Sequence, residues 1–347
     1  MKVAVGMSGG VDSTAAALLL KQQGHQVAGV TLCLGGDGCG SSQDAQDARA
    51  VAEQLGIEHY TLDLRDEFRR SVIQPFGTAY ADGLTPNPCI ECNRCIKFGT
   101  MLDWALAHGF DAIATGHYAR IEQAADGYRL KTAADPVKDQ SYVLYTLTQS
   151  QLAHTLFPLG EYSKPQLREL VRAQGLITAH KAESQDICFV PDGDYVGFLQ
   201  RELHICPQAG DYLDMQGARI GTHRGVIAYT VGQRKGLGVA FGEPRFVVAK
   251  NAADNTVTLG RQEDLFSRSL TADRVTFCHA PLVGDTAVTV RTRYNQTPSP
   301  AVASLTEDGR LRVVFDTPQR AVTPGQAVVL YNQDTVLGGG RIVAAHR

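Results

Sequence analysis

The chain has 347 residues, which is too long for one ordinary hydrophobic core and predicts two or three domains. Its composition, 44% hydrophobic and 20% charged, is typical of a globular protein, and its longest apolar stretches fall far short of the roughly 20 residues that a membrane span requires. The net charge of −3 excludes a protein that is basic throughout, although a local basic patch for nucleic acid stays open. Because Met1 and Lys2 lead directly into an apolar run without a signal peptide, we expect a cytoplasmic protein with no membrane partner.

The first half of the chain alternates predicted strands with predicted helices. Four short strands are expected at Lys2–Gly6, His25–Leu32, His59–Leu64 and Asp111–Thr115. Two helices, with small and apolar residues at helical spacing, are expected at Ser13–Gln23 and Asp44–Leu55. Strands that alternate with helices build βαβ units, so this half is predicted to be α/β, with a doubly wound parallel sheet. Such sheets bind ligands beyond the carboxyl ends of their strands.

A glycine-rich loop follows the first strand and opens the first helix. Its sequence is Gly6-Met7-Ser8-Gly9-Gly10-Val11-Asp12-Ser13. Glycines allow the backbone to approach an anion closely, and the start of a helix offers N–H groups and a favourable dipole. Asp12 would repel a bare phosphate, so its presence indicates a Mg²⁺ ion between the carboxylate and the phosphates. The alternative is a glycine-rich turn of no consequence.

The pattern changes near residue 205, where short alternating strands and Gly/Asn/Asp turns take over. A hairpin is predicted from Phe246–Asn251 and Thr256–Gly260. Later strands are expected at Thr286–Arg293, Arg310–Phe315, Gln326–Tyr331 and Thr335–Val343. We therefore predict a catalytic α/β domain at 1–204, a small central β domain at 205–268 and a barrel-like β domain at 269–347.

Eight cysteines are many for a chain in a reducing compartment, where catalysis or metal binding is the more common use of such residues. Cys33, Cys206 and Cys278 are expected to be small buried hydrophobic residues. The others include Cys89, Cys92 and Cys95 at three-residue spacing, and Cys188 within Ser184-Gln185-Asp186-Ile187-Cys188-Phe189. Arg94 and Lys97 place positive charge beside Cys92, which would favour its thiolate. Two distant cysteines can then work as a pair in sulfur transfer, one carrying a persulfide and the other attacking it.

A metal site is the alternative for the same cysteines. Cys89, Cys92, Cys95 and Cys188 together would make a four-thiolate set suited to zinc or to an iron–sulfur cluster. The zinc interpretation is the weaker one, because the fourth cysteine stands alone and far away in the sequence. A 4Fe–4S cluster held by Cys89, Cys92 and Cys188 stays open beside the sulfur relay.

Motifs spread over the whole chain resemble one protein family, the bacterial tRNA-specific 2-thiouridylases. The glycine-rich loop lacks the Gly-Lys-Ser/Thr ending of a Walker P-loop and is similar to that of the ATP pyrophosphatase, or PP-loop, superfamily. The other matching segments, in order, are Asn87–Phe98, Ala114–Arg120, Lys138–Tyr142, Ser184–Phe189, His223–Gly225, Tyr229–Gly238, Arg293–Tyr294 and Thr323–Gln326.

The resemblance implies roles for individual positions. Cys92 matches the family's nucleophile and Cys188 its persulfide-bearing cysteine, while Gly6 to Ser13 match the ATP loop with Asp12. Leu32 and Gly116 match the backbone sites that hold adenosine. Positions that contact tRNA match Asn87, Pro88 and Cys89 beside the target base, and His117, Lys138, Asp139, Gln140, Arg293, Tyr294 and Gln326 elsewhere. Many members have Asp where this chain has Cys89, and this extra sulfur keeps the cluster hypothesis open.

The activity that the resemblance implies is ATP-dependent thiolation of tRNA. ATP would adenylate the C2 oxygen of the wobble uridine, U34, and sulfur from a cysteine persulfide would replace that oxygen, giving 2-thiouridine, AMP and pyrophosphate. The implied fold is an adenine nucleotide α-hydrolase-like domain followed by two mainly-β domains, the last of them binding tRNA. The implied partners are the tRNAs for Lys, Glu and Gln, and a persulfide donor such as a cysteine desulfurase or a relay protein.

Two other functions fit part of the sequence. A PP-loop amidotransferase or ligase acting on a small metabolite would explain Gly6–Ser13 but not Cys92, Cys188 or the β domains. An iron–sulfur or RNA-binding module that holds nucleotide without turnover is the non-enzymatic alternative. Pyrophosphate release from ATP, with and without tRNA, separates the three.

Overall fold

The computed structural model describes residues 1–35, 42–181, 187–239 and 242–347. Cys39 and the Ser184-Gln185-Asp186 part of the second cysteine motif lie outside these ranges. No helix in the described ranges is both long and apolar enough to cross a membrane.

Strands and helices alternate through the amino-terminal part of the chain. The strands there are β1 (Lys2–Gly6), β2 (Gln26–Cys33), β3 (Glu58–Asp63), β4 (Ala112–Ala114), β5 (Ala119–Ala124), β6 (Gly127–Thr132) and β7 (Thr155–Leu156). The α-helices are α1 (Val11–Gln22), α2 (Ser42–Leu55), α3 (Arg65–Phe68), α4 (Gln74–Ala81), α5 (Pro88–Glu91), α6 (Met101–Ala107), α7 (Gln149–Ala153), α8 (Lys164–Ala173) and α9 (Tyr195–Leu203). Two stretches are π-helical, π1 (Arg69–Ile73) and π2 (Cys92–Thr100), and short 3₁₀ turns occupy Ser141–Val143, Ile177–His180, Val226–Ala228 and Glu263–Leu265.

Five of these strands form the predicted parallel sheet, in the order β3-β2-β1-β4-β7. Apolar side chains cover both of its faces. Val3 and Val5 pack with α1, α2 and α8 on one face, whereas Ala4 and Val30 pack with α6 and the π2 residue Phe98 on the other. The doubly wound α/β prediction is therefore confirmed, and the ends of the predicted strands and helices move by only one or two residues.

A four-stranded sheet makes up the central β part. Its strands are β8 (Gly210–Leu213), β9 (Arg219–His223), β10 (Phe246–Asn251) and β11 (Thr256–Gly260), in the order β10-β11-β8-β9. The predicted hairpin is confirmed as β10 and β11, which pair antiparallel. Its turn contains Asn255 at φ +48, a left-handed conformation that asparagine tolerates better than most residues.

The carboxyl-terminal part closes into a six-stranded barrel, which confirms the barrel-like prediction. Its strands are β12 (Phe266–Phe277), β13 (Thr286–Arg291), β14 (Ser299–Leu305), β15 (Leu311–Arg320), β16 (Ala327–Asn332) and β17 (Thr335–His346). They follow the order β12-β15-β14-β13-β16-β17, and pairing of β12 with β17 closes the circle. The sequence pattern predicts neither β12 nor β14. A bulge between Ser267 and Ser269 and the left-handed Arg274 interrupt the alternation of β12.

The barrel is extended by a hairpin from the amino-terminal part. Strands β5 and β6 pair with each other, and Lys131 of β6 pairs with Thr335 of β17. Arg120 adds an ion pair to Asp334 at 3.0 Å. The first and last parts of the chain therefore share one continuous eight-stranded sheet.

Candidate active site

The glycine-rich loop lies at the carboxyl end of β1, where a doubly wound sheet binds its ligands. Gly9 has φ +68, and a Cβ atom there would lie 2.6 Å from the carbonyl oxygen of Asp44. Gly10 occupies the N-cap of α1 and carries no side chain that could cover the helix start. The loop is therefore a close-fitting backbone cradle at the positive end of a helix, as anion binding requires.

Hydroxyl groups hold this cradle in shape. The Ser13 hydroxyl donates to the carbonyl of Gly10 at 3.1 Å and accepts from the backbone N–H of Ser8 at the same distance. The hydroxyl of Thr14 donates to the same carbonyl at 3.0 Å. In this structure the hydroxyl of Ser13 therefore stabilises the conformation of the loop.

A lysine that sequence reasoning missed faces the loop. Lys164 is 7% exposed, and its Nζ donates to Oδ1 of Asp12 at 2.6 Å. The hydroxyl of Tyr118 donates to the same oxygen at 2.8 Å. The capping box of Ser163 and Gln166 fixes Lys164 in the first turn of α8. That capping pattern predicts a helix start at Lys164, but no spacing in the sequence connects this residue with Asp12.

Gly116 and Leu32 flank the loop, as positions beside a nucleotide would. A Cβ atom on Gly116 would lie 2.9 Å from the backbone nitrogen of Ser13, so a side chain has no room there. Leu32 is half-buried near the end of β2, the strand next to β1. Their roles in adenosine binding stay predictions.

Cys92 begins the π-helix π2 and lies directly after α5. The side chain of Asn87 caps α5 by accepting from the backbone N–H of Cys89 at 3.1 Å. The N–H of Met101 bonds to the carbonyl of Ile96, five residues earlier, as π-helical geometry requires. Lys97, five positions after Cys92 in the same π-helix, lies close enough to act electrostatically on the Cys92 thiol.

Cys92 and Cys188 meet at one apolar cluster. Cys92 is buried in the cluster with Phe68 and Phe76, and the half-buried Cys188 packs against it. Phe189, next to Cys188, holds that segment by edge-on contacts with the rings of Phe68 at 5.7 Å and Phe76 at 5.2 Å. The two cysteines predicted to work as a pair are thus brought to the same place.

Burial dominates the electrostatics of Cys92. Loss of hydration raises the pKa of its thiol to about 12, and Lys97 acts against this shift. Nearby Cys188, Cys89 and Cys95 add to it, because a second negative charge close by disfavours the thiolate. The support expected from Arg94 stays a prediction, because Arg94 forms an ion pair with Glu91 at 2.5 Å.

The remaining cysteines differ in their exposure. Cys278 is buried, as expected, and its thiol donates to the carbonyl of Tyr145 at 3.2 Å. Cys33 is half-buried, whereas Cys206 is exposed, so the expectation of a buried residue is wrong for Cys206. It follows α9 and a left-handed His204, and unlike its neighbour Ile205 it is not part of an apolar cluster.

The cysteines do not form a metal site in this structure. Among the described residues, no group of three or more His, Cys, Asp or Glu side chains is arranged to hold a metal ion. Cys89 is exposed, whereas Cys92 is buried in an apolar cluster. In the part of the chain that the structure describes, Cys89, Cys92 and Cys188 therefore form no ligand group for a 4Fe–4S cluster or for zinc.

Several residues predicted to contact tRNA converge beside Cys89. The ring of Tyr294, on the barrel, lies close enough to Cys89 and Asp139 to interact electrostatically, and its hydroxyl bonds with Gln140. Burial raises the pKa of this hydroxyl to about 12, yet the residue is exposed at 36%. An aromatic ring at such a position can stack on an unpaired base. Lys138, which directly precedes Asp139 in the sequence, is half-exposed.

Other predicted tRNA contacts are engaged within the protein. Asp139 is buried and forms an ion pair with Arg291 of the barrel at 2.7 Å. Arg293 donates to the carbonyls of Val231 and Ala321, both at 2.9 Å. Gln326 donates to the carbonyl of Thr85 at 2.7 Å. Their roles toward RNA stay predictions, but each already joins separate parts of the chain.

His117 lies in the core. Its Nδ1 is 2.7 Å from the hydroxyl of Thr115, and its ring packs near Phe98 at 5.8 Å and Phe157 at 6.0 Å. Burial holds the pKa of this imidazole well below its ordinary value, so the ring is neutral at physiological pH. A contact with RNA through His117 therefore also stays a prediction.

Comparison with known proteins covers nearly the whole chain. Residues 1–192 match the family model described as tRNA methyl transferase HUP domain, 197–261 the tRNA methyl transferase PRC-barrel domain, and 267–342 the aminomethyltransferase beta-barrel domain. The tRNA-specific 2-thiouridylase MnmA of Moorella thermoacetica is 50% identical over 350 residues, which cover 97% of this chain and 98% of the relative. The tRNA-specific 2-thiouridylase MnmA 2 of Clostridium botulinum strain Okra is 46% identical over 351 residues, covering 98% and 99%.

Proposed function

The chain belongs to the family of the tRNA-specific 2-thiouridylases, and from this premise we propose which of its residues carry each step of tRNA thiolation. The enzyme uses ATP to adenylate the C2 oxygen of the wobble uridine and then replaces that oxygen with sulfur. A uracil carbonyl oxygen is a poor leaving group, whereas AMP is a good one. Two chemical tasks follow: activation of the oxygen, and delivery of sulfur in reduced form.

The activation step takes place at the cradle of residues Gly6–Ser13. The uridine C2 oxygen attacks the α-phosphate of ATP, pyrophosphate leaves, and the backbone donors of the loop hold the phosphates in line. The carboxylate of Asp12 fits a Mg²⁺ ion, because it lies in the first turn of α1 beside the phosphate-binding backbone. Mg²⁺ at this position would neutralise charge on the phosphates.

Lys164 supplies the second positive charge at this site. Its ion pair with Asp12 keeps the carboxylate neutralised before nucleotide binds. Asp12 would hold a metal ion beside the phosphates, and the ammonium of Lys164, which faces the same loop, would then bind a phosphate oxygen. Because the side chain is almost fully buried, its charge acts in a region of low dielectric.

Sulfur delivery falls to Cys188 and Cys92. The terminal sulfur of a persulfide on Cys188 attacks C2, AMP leaves, and a bond between this sulfur and C2 forms. The thiolate of Cys92 then attacks Sγ of Cys188, so that a Cys92–Cys188 disulfide forms and the base leaves as 2-thiouridine. In a variant of this route Cys92 attacks the persulfide first and releases sulfide, which attacks C2. Both routes end in the same disulfide, which an external thiol must reduce.

The meeting of Cys92 and Cys188 at one apolar cluster carries this assignment. The aromatic wall of that cluster excludes water, which would otherwise hydrolyse the adenylated base or the persulfide. The target base must leave its stack to reach these sulfurs, and this is easier in a loop than in a duplex. Cys89 and Tyr294, which lie together at the surface, mark a place where the base can enter.

The substrate and partners follow from the family. We propose the tRNAs for Lys, Glu and Gln as substrates, a persulfide donor such as a cysteine desulfurase or a relay protein as the sulfur source, and the cytoplasm as the place of reaction. Because the net charge is −3, RNA binding must depend on local basic residues and on shape rather than on overall attraction.

Mass spectrometry of tRNA nucleosides, after incubation with ATP and a persulfide donor, tests the proposal. We expect 2-thiouridine from the native enzyme, none from Cys92→Ser or Cys188→Ser, and unchanged amounts from Cys206→Ser, whose cysteine is exposed outside the cluster. Cys89→Ser should keep most activity. Loss of activity in Cys89→Ser, together with iron bound to the native enzyme, would overturn the persulfide relay. If the rate of pyrophosphate release from ATP is the same with and without tRNA, the assignment of tRNA as the substrate would be overturned.

A further inference from the structure

The loop that leads into the Cys92 helix is bound by the carboxyl-terminal barrel. Both backbone groups of Thr85 are engaged there. Its N–H donates to the carbonyl of Pro324 at 2.9 Å, and its carbonyl accepts from Nε2 of Gln326 at 2.7 Å. Thr85, which belongs to the amino-terminal part, is therefore held by two hydrogen bonds to a turn of the barrel.

The central β part binds the same residue from another direction. Nζ of Lys250, on β10, donates to the carbonyl of Tyr229 at 2.8 Å. The same ammonium lies 3.4 Å from the hydroxyl of Thr85 and 3.5 Å from the carbonyl of Leu84. Lys250 is half-buried, and the loss of hydration lowers the pKa of its ammonium to about 8.

The turn of the barrel is tightly packed against Thr85. Gly325 has φ +93, and a Cβ atom at this position would lie 2.6 Å from the backbone nitrogen of Thr85. Neither the turn nor the loop can shift toward the other without a clash. The three parts of the chain thus meet at a single, closely packed residue.

This residue is directly connected to the nucleophile. Two positions after Thr85, Asn87 caps α5, and α5 continues without interruption into π2, which begins at Cys92. Farther along, the buried side chain of Asn93 donates to the carbonyl of Val143 at 3.0 Å. The start of the helix is therefore fixed through Thr85, and its continuation is fixed by the core.

We propose that Gln326 and Lys250 are positioning residues of the sulfur-transfer site, which hold Thr85 and through it the helix that carries Cys92. The proposal rests on the assignment of Cys92 as the nucleophile. It gives Gln326 a role distinct from the direct tRNA contact that family resemblance implies. It also makes both β parts necessary for the second half of the reaction.

Adenylation and sulfur transfer can be measured separately, and this distinguishes a displaced Cys92 helix from a general loss of structure. The ATP cradle is held by α2, Gly116 and Lys164, whereas the hydrogen bonds of Thr85 in the described residues go to the barrel and to Lys250. Loss of the Thr85 contacts should therefore slow sulfur transfer while adenylation continues. A displacement of about 1 Å can reduce a rate about 100-fold, so even a small shift of Cys92 should be measurable.

The experiment compares Gln326→Met and Lys250→Met with Gln319→Met and Lys131→Met, matched changes on β15 and β6 away from Thr85. Single-turnover pyrophosphate release, 2-thiouridine formation at saturating tRNA, and tRNA affinity are measured for each, with thermal unfolding to confirm the fold. We expect thiolation to fall about tenfold or more in the first two variants. Pyrophosphate release and tRNA affinity should stay close to those of the native enzyme, and the controls should be unaffected in all three measurements.

Three results would overturn the proposal: unchanged thiolation, equal loss of both half-reactions, or weakened tRNA binding that saturating tRNA rescues. The last would identify Gln326 as an RNA contact instead. Cys92→Ser is measured alongside, because thiolation by that variant would refute the assignment of the nucleophile whatever Gln326→Met does.

Discussion

The thiol of Cys92 is enclosed by aromatic and aliphatic side chains, and this burial sets its reactivity. Its pKa is raised to about 12, so at neutral pH the resting enzyme holds it as a thiol. Reaction as a nucleophile requires the thiolate. Lys97, five positions along the same helix, is a cation close enough to favour that form when substrate arrives.

Alkylation by iodoacetamide, followed for each cysteine by peptide mass spectrometry, checks this state. Because the pKa of Cys92 lies above the accessible range, its alkylation rate should rise about tenfold per pH unit from about pH 7 to about pH 10. Cys206, which is exposed, is the internal control and should react faster at neutral pH. A Cys92 rate that levels off below about pH 9 would contradict the raised pKa.

Lys164→Met tests the second charge at the ATP cradle. The change removes a buried ammonium but keeps the apolar stem, and it leaves Asp12 without its ion-pair partner. We expect tRNA-dependent pyrophosphate release to fall about 100-fold, as for the loss of one preorganised electrostatic group, and ATP affinity measured by calorimetry to weaken. Lys131→Met, which breaks an ion pair on the β5–β6 hairpin, is the matched control. Normal release by Lys164→Met would remove this lysine from the site.

At the residue level, the sequence predicts which positions matter better than it predicts their surroundings. The glycines and Asp12 could be assigned to a phosphate site because a strand, a loop and a helix start follow each other directly. Lys164 could not be found, because it reaches Asp12 only through the fold.

Among the elements of the fold, the parallel sheet is what brings the nucleotide loop and its neighbours together. The loop after β1 and the segment after β4 emerge at the same sheet edge, because adjacent parallel strands end on the same side. Gly116, just beyond β4, can therefore lie against the first turn of α1. This contact leaves no space for any side chain larger than hydrogen.

Gly116→Ala should disturb the start of α1. The added Cβ would lie 2.9 Å from the backbone of Asp12 and Ser13, so the loop must move. We expect a loss of about 1–3 kcal/mol in the free energy of unfolding and a larger dissociation constant for ATP. Gly221→Ala is the matched control, because the nearest atom to its added Cβ lies at 3.5 Å. Native ATP affinity in Gly116→Ala would contradict the close fit.

The elements also show where periodicity carries too little information. Alternating strands and helices predict the parallel sheet because each element there has one regular pattern. Strand β12 has a bulge and a left-handed residue, so its twelve residues do not alternate. The change from α5 to π2 is not visible either, since apolar spacing does not distinguish these two helix types over so few residues.

For the whole molecule, buried polar contacts join the amino-terminal part to the barrel. Asp139, in the amino-terminal part, accepts from Ala133, Ser141 and the guanidinium of Arg291 on β13. The hydroxyl of Tyr142 donates to the carbonyl of Ala327 at 2.8 Å. Such contacts have no sequence signature, because each partner is an ordinary polar residue of its own segment.

Arg291→Met should destabilise the whole chain. It leaves the buried carboxylate of Asp139 without its charge partner, which typically costs about 3–5 kcal/mol. Urea unfolding measures the loss. Arg312→Met, an exposed arginine on β15, should change little, and the double variant Asp139→Asn with Arg291→Met should recover part of the stability. A native unfolding midpoint in Arg291→Met would contradict a buried ion pair at this position.

Following the sulfur atoms of Cys92 and Cys188 through one turnover shows whether the two cysteines act as a pair. The native enzyme, loaded with persulfide, is mixed with ATP and tRNA without any reducing agent, and unreduced peptides and tRNA nucleosides are then quantified together. We predict one Cys92–Cys188 disulfide for each 2-thiouridine formed, and no such disulfide when ATP or tRNA is left out. Formation of 2-thiouridine while both cysteines stay reduced would show that Cys92 and Cys188 do not act as a pair.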